Sequence, residues 1–454
     1  MDPFRDLGLA LSNWTIKYVP DAWVIAIILS VIVFVMALIW GDITPVGAIT
    51  AWGKGFWTLL SFMAQVSFGI VVAYACAAAP IVSRSLDYLG SRTNPDKPWQ
   101  AVLFLCLFSC FTAWVNYAIT LIMSAMLVPY LAKHNPKTDY RLLAASAYVG
   151  LGTMWHSGLS GSATLIVATP DNFLIKAKVI SELISVDRTI FSTFNWILIG
   201  VAVLVVCLVF PLLTPRPEKA FTKSKEELDE MFAVTKVDKP ERMTTAQRLN
   251  WWPGWNILAG SACVIYMFLA FRTSGWSAWT IDMYNLVFLT LALFLTWRPV
   301  IFLSGCKKGV MGAWGILVQF PFYGGIFGLV SYTNLGHFLT SVFTSIANEK
   351  TFLPIVYVYS GVLSYFVPSG GSKWAIEAPY LIPAAKAFNT SAASVTLVYG
   401  WGDMMTHLLQ PFWAIPVLDI TKTSFGQLAG FWALLFFIYA FVMTAIMFFA
   451  PVGL

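Results

Sequence analysis

The chain has 454 residues, 58% of them hydrophobic and only 11% charged, with a mean hydropathy of +0.74. A typical soluble domain carries about 25% charged residues, and no water-soluble fold of this size hides so much apolar surface, so a bilayer is the expected solvent. The net charge of +6 does not point to nucleic acid, because no stretch is both basic and soluble enough to form a binding face. Residues 1–20 carry Asp2, Arg5, Asp6 and Lys17 and end at Pro20. The apolar run 22–40 is long enough to span the hydrocarbon core as a helix, and no small-residue cleavage site follows it, so it is expected to remain in the protein. The further runs 56–80, 142–166, 192–211, 254–272, 281–297, 310–333, 393–418 and 427–450 also read as spans, which predicts an all-α integral membrane fold of about nine transmembrane helices.

Two apolar stretches do not fit that count. Residues 99–132 are too long for one helix and break at Asn116; residues 352–387 break at Val367-Pro-Ser-Gly-Gly-Ser372. Each reads as two short helices meeting at a polar tip, a re-entrant hairpin. With both stretches treated this way, the N-terminus falls inside the cell and the C-terminus outside. Most of the 28 Lys and Arg residues then fall in inside segments, as positively charged cytoplasmic loops require. Residues 212–253 form the one long polar stretch and read as a cytoplasmic linker between residues 1–211 and 254–454. The six cysteines form no CxxC pair and read as buried free thiols.

The two halves resemble each other. A constant offset pairs Pro45-Val46 with Pro299-Val300, Gly55 with Gly309, Gln65 with Gln319, Phe68 with Phe322 and Pro129 with Pro383. A slightly shorter offset pairs Tyr148 with Tyr399 and His156 with His407. The paired segments run in opposite directions through the membrane, so the predicted architecture is an inverted repeat. Secondary transporters are built this way, with broken helices at mid-membrane. Irregular backbone persists at that depth only beside protein or a water-filled cavity.

Four clusters could carry chemistry. Asn116, at the first tip, offers an amide to a cation or a carboxylate; the alternative is an interhelical hydrogen bond. The second tip holds Ser369, Gly370, Gly371, Ser372 and Lys373. Its glycines let backbone approach a ligand, and the helix starting there points N–H groups at an anion. Lys373 adds a formal charge in an apolar stretch; the alternative is pairing with Glu377 four residues on. The third cluster runs from His156 to Thr164 and includes Ser160 and Ser162, and the fourth runs from Gly402 to Pro411 and includes Asp403, Thr406 and His407. Both suit an unwound helix facing a solute or ion. A bare carboxylate at Asp403 needs a partner, and the two histidines suit either a proton relay or an interior hydrogen bond.

Two enzyme readings come from short patterns. Gly158-Leu-Ser-Gly161 matches the GxSG of rhomboid-type proteases, and Gly400-Trp-Gly-Asp403 the GxGD of presenilin-type proteases. Four-residue patterns arise by chance in a glycine-rich chain, the Tyr-Asp partner motif is missing, and there is no HExxH. An enzyme is therefore not expected.

Several stretches carry a family resemblance: Val19-Pro-Asp21, Trp52-Gly-Lys-Gly-Phe-Trp57, Leu317-Val-Gln-Phe-Pro-Phe-Tyr323, Val367-Pro-Ser-Gly-Gly371, Ile382-Pro-Ala-Ala385 and Gln410-Pro-Phe-Trp-Ala414. Across nearly its whole length the chain resembles the bacterial short-chain fatty acid transporters, the carriers linked to acetoacetate and butyrate use. The family is placed in the ion transporter superfamily. That resemblance implies a scaffold domain, a moving transport domain with two hairpins, elevator-type motion, a homodimer and a place in the bacterial inner membrane. Trp155-His156-Ser157 departs from the glycine-rich pattern expected there, and the acid after Tyr399-Gly400 is Asp403, so substrate or coupling ion would differ from better-known members.

The combined expectation is a secondary transporter for short monocarboxylates, coupled to Na+ or H+ by symport and needing no cofactor. Ser369, Ser372 and Lys373, with the N–H groups of the tip, would receive the carboxylate. Asn116, Ser160, Ser162 and Thr406 would complete the pocket, and Trp374 or Trp413 would form its apolar wall. Asp403, His156, His407 and Glu377 would couple the ion. The competing expectation is a cation/proton antiporter, for which added carboxylate would not matter.

Overall fold

The computed structural model describes residues 17–18, 20, 22–232 and 239–453. Val19 and Asp21 of the first resemblance stretch, the terminus used for the orientation argument and residues 233–238 of the linker lie outside them. Among the described residues there is no strand.

In chain order, α1 (Ala22–Trp40) is apolar throughout. α2 (Pro45–Phe56) opens on Pro45 behind Thr44, whose hydroxyl accepts the Gly47 N–H. α3 (Leu60–Ala77) and α4 (Pro80–Gly90) follow after short breaks. α5 (Pro98–Val115) and α6 (Tyr117–His134) are separated by Asn116 alone. Proline at the first helical turn recurs at α2, α4 and α5, where the missing N–H costs nothing. α7 (Tyr140–Met154) runs into a 3-10 turn at Trp155–Ser157, and α8 (Ser162–Ala168) resumes beyond it. α9 (Thr193–Leu212) ends the first half. α10 (Lys225–Phe232) and α11 (Thr245–Trp251) are short helices of the linker.

The second half comprises α12 (Gly254–Ser274), α13 (Ile281–Thr296), α14 (Pro299–Ser331), α15 (Leu335–Ile346), α16 (Phe352–Phe366), α17 (Gly370–Lys386) and α18 (Ala392–Met405). A 3-10 turn at Thr406–Leu408 then leads to α19 (Ile415–Thr421) and α20 (Phe425–Met447). Among the described residues, seven helical stretches are long and apolar enough to cross a bilayer: α1, α3, α5, α9, Thr245–Ala278, α14 and α20.

Several expected spans differ in detail. The run 56–80 is confined to α3, because Trp57-Thr58-Leu59 interrupts the helix before it and Ala79-Pro80 after it. The run 310–333 starts earlier, at Pro299, and forms one helix of 33 residues. The runs 142–166 and 393–418 are each two helices around irregular backbone. Gly158 and Gly161 open the first gap, and Pro411, which has no N–H to donate, lies in the second. Cys76, Cys106 and Cys110 are buried free thiols, whereas Cys207, Cys263 and Cys306 are only half-buried.

α14 packs along both α3 and α2. Lipid gives helices no hydrophobic reason to associate, so close backbone packing must supply the attraction. Gly309 sits where a Cβ would lie 2.6 Å from Val71 Cα, and Gly328 where one would lie 2.3 Å from the Ala51 carbonyl oxygen. The order of these contacts makes α14 antiparallel to α2 and α3. A second body is formed by α5, α6 and α7 with α16, α17, α18 and α20. The Trp432 indole of α20 donates to the Ala145 carbonyl, and the Tyr439 hydroxyl to that of Thr153. α17 touches α14, so the second tip lies where the two bodies meet.

Candidate functional site

The first tip is held by its own side chain. Asn116 is fully buried, and its Oδ1 accepts the N–H groups of Ala118 at 2.8 Å and Ile119 at 3.0 Å, capping α6. Asn116 Nδ2 has no partner. Ser160 Oγ accepts the Tyr117 N–H at 3.0 Å, which ties the gap between α7 and α8 to this tip. Thr406 donates to the Gly361 carbonyl at 2.8 Å. In this conformation Asn116 Oδ1 and the Ser160 and Thr406 hydroxyls are committed to backbone groups, while Asn116 Nδ2 is not.

The second tip is arranged differently. Ser369 is the N-cap of α17, yet its side chain makes no capping bond. The N–H groups of the first turn have no intrahelical acceptor. Ser369, Gly370 and Gly371 line a cavity of about 40 Å³ together with Ser162. Its walls are aromatic: Phe62 from α3, Phe320 and Tyr323 from α14, Tyr117, Trp155 and Trp413. The Trp413 indole donates to the Pro368 carbonyl at 2.8 Å and so holds the tip from behind. Trp374, the other expected wall, is buried against Tyr399 instead.

Behind the tip lies a buried charge cluster. Lys373 Nζ is 2.8 Å from Glu377 Oε1 and 3.1 Å from Asp403 Oδ1, and lies 4.1 Å from the centre of the Tyr399 ring. Ser360 donates to the other Glu377 oxygen at 2.6 Å. His156 Nε2 lies 2.9 Å from Asp403 Oδ2, and His407 Nε2 3.8 Å from the same atom. His156 Nδ1 accepts the Ser162 N–H at 3.3 Å, which fixes the neutral tautomer with its hydrogen on Nε2. Lys373, Glu377, Asp403 and His407 have no exposed surface, and His156 is 1% exposed.

The expected site thus separates into two layers. Ser369, Gly370, Gly371 and Ser162 line the cavity. Lys373, Glu377, Asp403, His156 and His407 form the charged layer behind it. Lys373 pairs with Glu377, the alternative weighed from sequence, so its ammonium is committed to the protein's own carboxylates. The Ser372 hydroxyl is buried without a partner. Among the described residues, no three His, Cys, Asp or Glu side chains are arranged to hold a metal ion. Sequence reasoning named Trp413 for the wall but did not assign Phe62, Tyr117, Trp155, Phe320, Tyr323 or Gln319 to the site. The repeat had paired Gln65 with Gln319 and Phe68 with Phe322, and that pairing was the available signal.

Two further cavities lie along α3. One, of about 210 Å³, is lined by Thr58, Ser61, Phe62 and Gln65 with Asp171, Lys176 and Asp282. The other, of about 530 Å³, lies at the opposite end of α3 against Tyr74, Ala77 and Ala78, and is edged by Lys223, Lys308 and Lys422 and by Glu227 and Asp419. The small cavity at the tip lies between them. At 1.5 Å per residue, Thr58 to Ala78 covers about 30 Å, the thickness of a hydrocarbon core.

Membrane-length helices, broken helices around a buried polar site and cavities reaching towards both ends of one span define a multi-pass membrane protein of the transporter class. A family model described as "Short chain fatty acid transporter" matches residues 4–450, and the chain belongs to that family. It is 32% identical to an Escherichia coli K12 protein over 422 residues, covering 93% of this chain and 94% of the relative. It is 30% identical to a Haemophilus influenzae Rd protein over 452 residues, covering 97% and 96%. Both relatives are provisionally named as short-chain fatty acid transporters. Among solved structures, the Alcanivorax borkumensis YdaH transporter is similar with a TM-score of 0.60 and 14% identity, over 96% of this chain and all of that one. Neisseria gonorrhoeae MtrF, described as illuminating a class of antimetabolite efflux pumps, is similar with a TM-score of 0.53 and 13% identity, over 98% and 99%. These two show a shared fold. The relatives are transporters, and this chain is not an enzyme. Ser160 and Asp403 agree with that: the Ser160 hydroxyl accepts a backbone N–H, and Asp403 faces Lys373 and His156.

Proposed function

We propose that the protein is a secondary active carrier of short-chain fatty acids and related small monocarboxylates such as butyrate and acetoacetate, coupled to a cation by symport. The observation that carries this reading is the uncapped start of α17 facing an aromatic-walled cavity. The N–H groups of Gly370 and Gly371 and the Ser369 hydroxyl receive the carboxylate, because a helix N-terminus presents unpaired donors and a positive dipole end. Phe62, Phe320 and Trp413 surround the acyl chain. The cavity holds about three water-sized spheres, which suits a carboxylate, and the acyl chain enters as the aromatic walls part.

Matching element boundaries in the two halves support an inverted repeat. α2 and α3 together cover positions 45–77, and α14 covers 299–331 at the same offset. α5 and α6 match α16 and α17, and both unwound helices pass through a 3-10 turn, at Trp155–Ser157 and Thr406–Leu408. In this reading α5–α6 and α16–α17 are re-entrant hairpins of a moving domain, α2, α3 and α14 belong to the scaffold of a homodimer, and motion is of the elevator type. The N-terminus lies in the cytoplasm and the C-terminus outside, in the inner membrane of a bacterium. The cavity edged by Lys308 and Lys422, with Asp419 and the Lys223–Glu227 pair beside them, is then the cytoplasmic vestibule.

The test is uptake of labelled butyrate and acetoacetate into proteoliposomes under imposed ion gradients. Saturable, gradient-driven uptake of either acid supports the reading. Folded protein that carries neither would overturn it in favour of the cation/proton antiporter.

A further inference from the structure

The charge cluster behind the tip is unbalanced. One cation, Lys373, faces two carboxylates, Glu377 and Asp403, and His156 Nδ1 accepts the Ser162 N–H. With both carboxylates ionised and both histidines neutral, the cluster would hold one excess negative charge in a site closed to water. Of the elements packed against α17, α14 carries Lys307 and Lys308, α15 His337 and the short helix Phe173–Lys176 its last lysine, and among the described residues none of these forms an ion pair with the cluster. α8 and α20 carry no charged residue, and α16 offers only the phenols of Tyr357, Tyr359 and Tyr365. Arg141 of α7 pairs with Asp139 at the far end of its helix. Tyr148, Tyr380, Tyr399 and Tyr439, from the remaining packed segments, are uncharged phenols. An incoming carboxylate would add a second negative charge a few ångströms away, and in a low-dielectric interior that repulsion is large.

The same geometry supplies the remedy. His156 touches both layers of the site. Nε2 faces Asp403 in the charged layer, and Nδ1 holds the N–H of Ser162, a residue that lines the cavity. If His156 gains a proton on Nδ1, that nitrogen becomes a donor and releases the Ser162 N–H. Protonation then neutralises the excess charge and also frees a backbone donor at the start of α8 for the substrate. The Cε1 of His156 also lies against Gly370 of the receiving tip.

We infer that the coupling ion is a proton, taken up one per carboxylate on His156 and shared with Asp403, and that Ser162 transmits its arrival to the substrate. This rests on the monocarboxylate reading above. The step balances as written: one carboxylate anion and one proton enter together, so transport moves no net charge. The coupling is reciprocal, so substrate binding raises proton affinity by the factor by which the proton raises substrate affinity.

The first experiment follows proton uptake with a pH-indicator dye as butyrate is added to the purified full-length protein in weak buffer, between about pH 6 and pH 8. Carboxylic acids with ordinary values near 4 stay ionised there, so any proton bound is bound by the protein. The expected result is one proton per butyrate and an affinity that rises up to about tenfold per unit fall in pH. In proteoliposomes, uptake should follow an imposed pH gradient and respond neither to a valinomycin-set potential nor to Na+. His156→Gln keeps a donor towards Asp403 but cannot be protonated, and should bind butyrate with no pH dependence over that range. Uptake driven by Na+ without proton binding would overturn the inference, as would potential-driven uptake or an unchanged pH profile in H156Q. If folded parent protein neither binds nor exchanges butyrate, the monocarboxylate reading fails first. If it exchanges butyrate without proton uptake, only the proton inference fails.

Discussion

His156 and Asp403 lie 247 positions apart in sequence, yet His156 Nε2 is 2.9 Å from Asp403 Oδ2, with both side chains essentially without exposed surface. His156 lies in the 3-10 turn after α7 and Asp403 in the last turn of α18, just before the second 3-10 turn, so a single hydrogen bond joins the two interrupted regions. Lys373, from the second tip, completes the contact at 3.1 Å from the other Asp403 oxygen. The receiving tip and both broken helices therefore share one carboxylate.

Removing the single cation should be costly. Lys373→Met leaves Glu377 and Asp403 buried without their counter-charge, and breaking a buried pair in this way costs about 3–5 kcal/mol. Thermal unfolding in detergent should show a clear fall in Tm, and K373M/E377Q should recover part of it. An unchanged Tm for K373M would mean that the ammonium contributes nothing to the folded state.

The two glycines of the tip should respond differently. A Cβ at Gly370 would lie 2.2 Å from His156 Cε1, and the ring is pinned by Asp403 and Ser162. At Gly371 a Cβ would meet the outer edge of the Phe62 ring at 2.1 Å, which can swing aside. Gly370→Ala should lower transport at least tenfold with a folded protein, and Gly371→Ala much less. Equal losses in an uptake assay would argue against His156 as the sensitive contact.

Asn116 distinguishes a cap from a ligand. Asn116→Ala should cost about 1 kcal/mol as a lost N-cap, whereas Asn116→Asp keeps the accepting oxygen and should preserve Tm. If the amide binds solute or ion instead, both variants would lose uptake to a similar extent whatever their stability.

The helix contact in the scaffold should tolerate no bulk. Gly328→Val forces a side chain into the Ala51 carbonyl and the Gly55 backbone, and overpacking of this kind costs about 1–3 kcal/mol. Gly53→Ala, with nothing within 4 Å of the added carbon, is the matched control. Size-exclusion profiles and Tm should separate the two, and a G328V protein as stable as G53A would remove close backbone packing as the reason for this interface.

The polar tie between α4 and α6 gives a pH prediction. The His134 hydrogen bond holds the Asp87 carboxyl below the usual carboxylate range, and Lys133 adds to the effect. A lowered carboxylate stabilises the fold fully above its unfolded value, about 3.9, and that contribution disappears as pH falls through the lower folded value. Asp87 is 43% exposed, so the effect is small. The Tm gap between the parent and Asp87→Asn should be present at about pH 6 and close in strong acid; a gap that widened in acid would reverse the assignment.

Composition and hydropathy determined the solvent of this protein, because 11% charged residues cannot cover a water-soluble surface. Local chemistry also marked the breaks. Asn116 caps a helix, Pro368-Ser-Gly-Gly371 cannot continue one, and glycines and Pro411 open the other two gaps. These are effects of neighbouring residues and are legible in one dimension. The residue types of the charge cluster were legible too, since an ionisable group in an apolar run needs a partner. Which partner it takes was not legible, except for Glu377 one helical turn from Lys373. The approach of Asp403 to His156 depends on how α18 packs beside the unwound stretch after α7. The aromatic wall depends on α14 packing against α3 at Gly309 and against α2 at Gly328. Those contacts join residues hundreds of positions apart, and only tertiary packing brings them within reach.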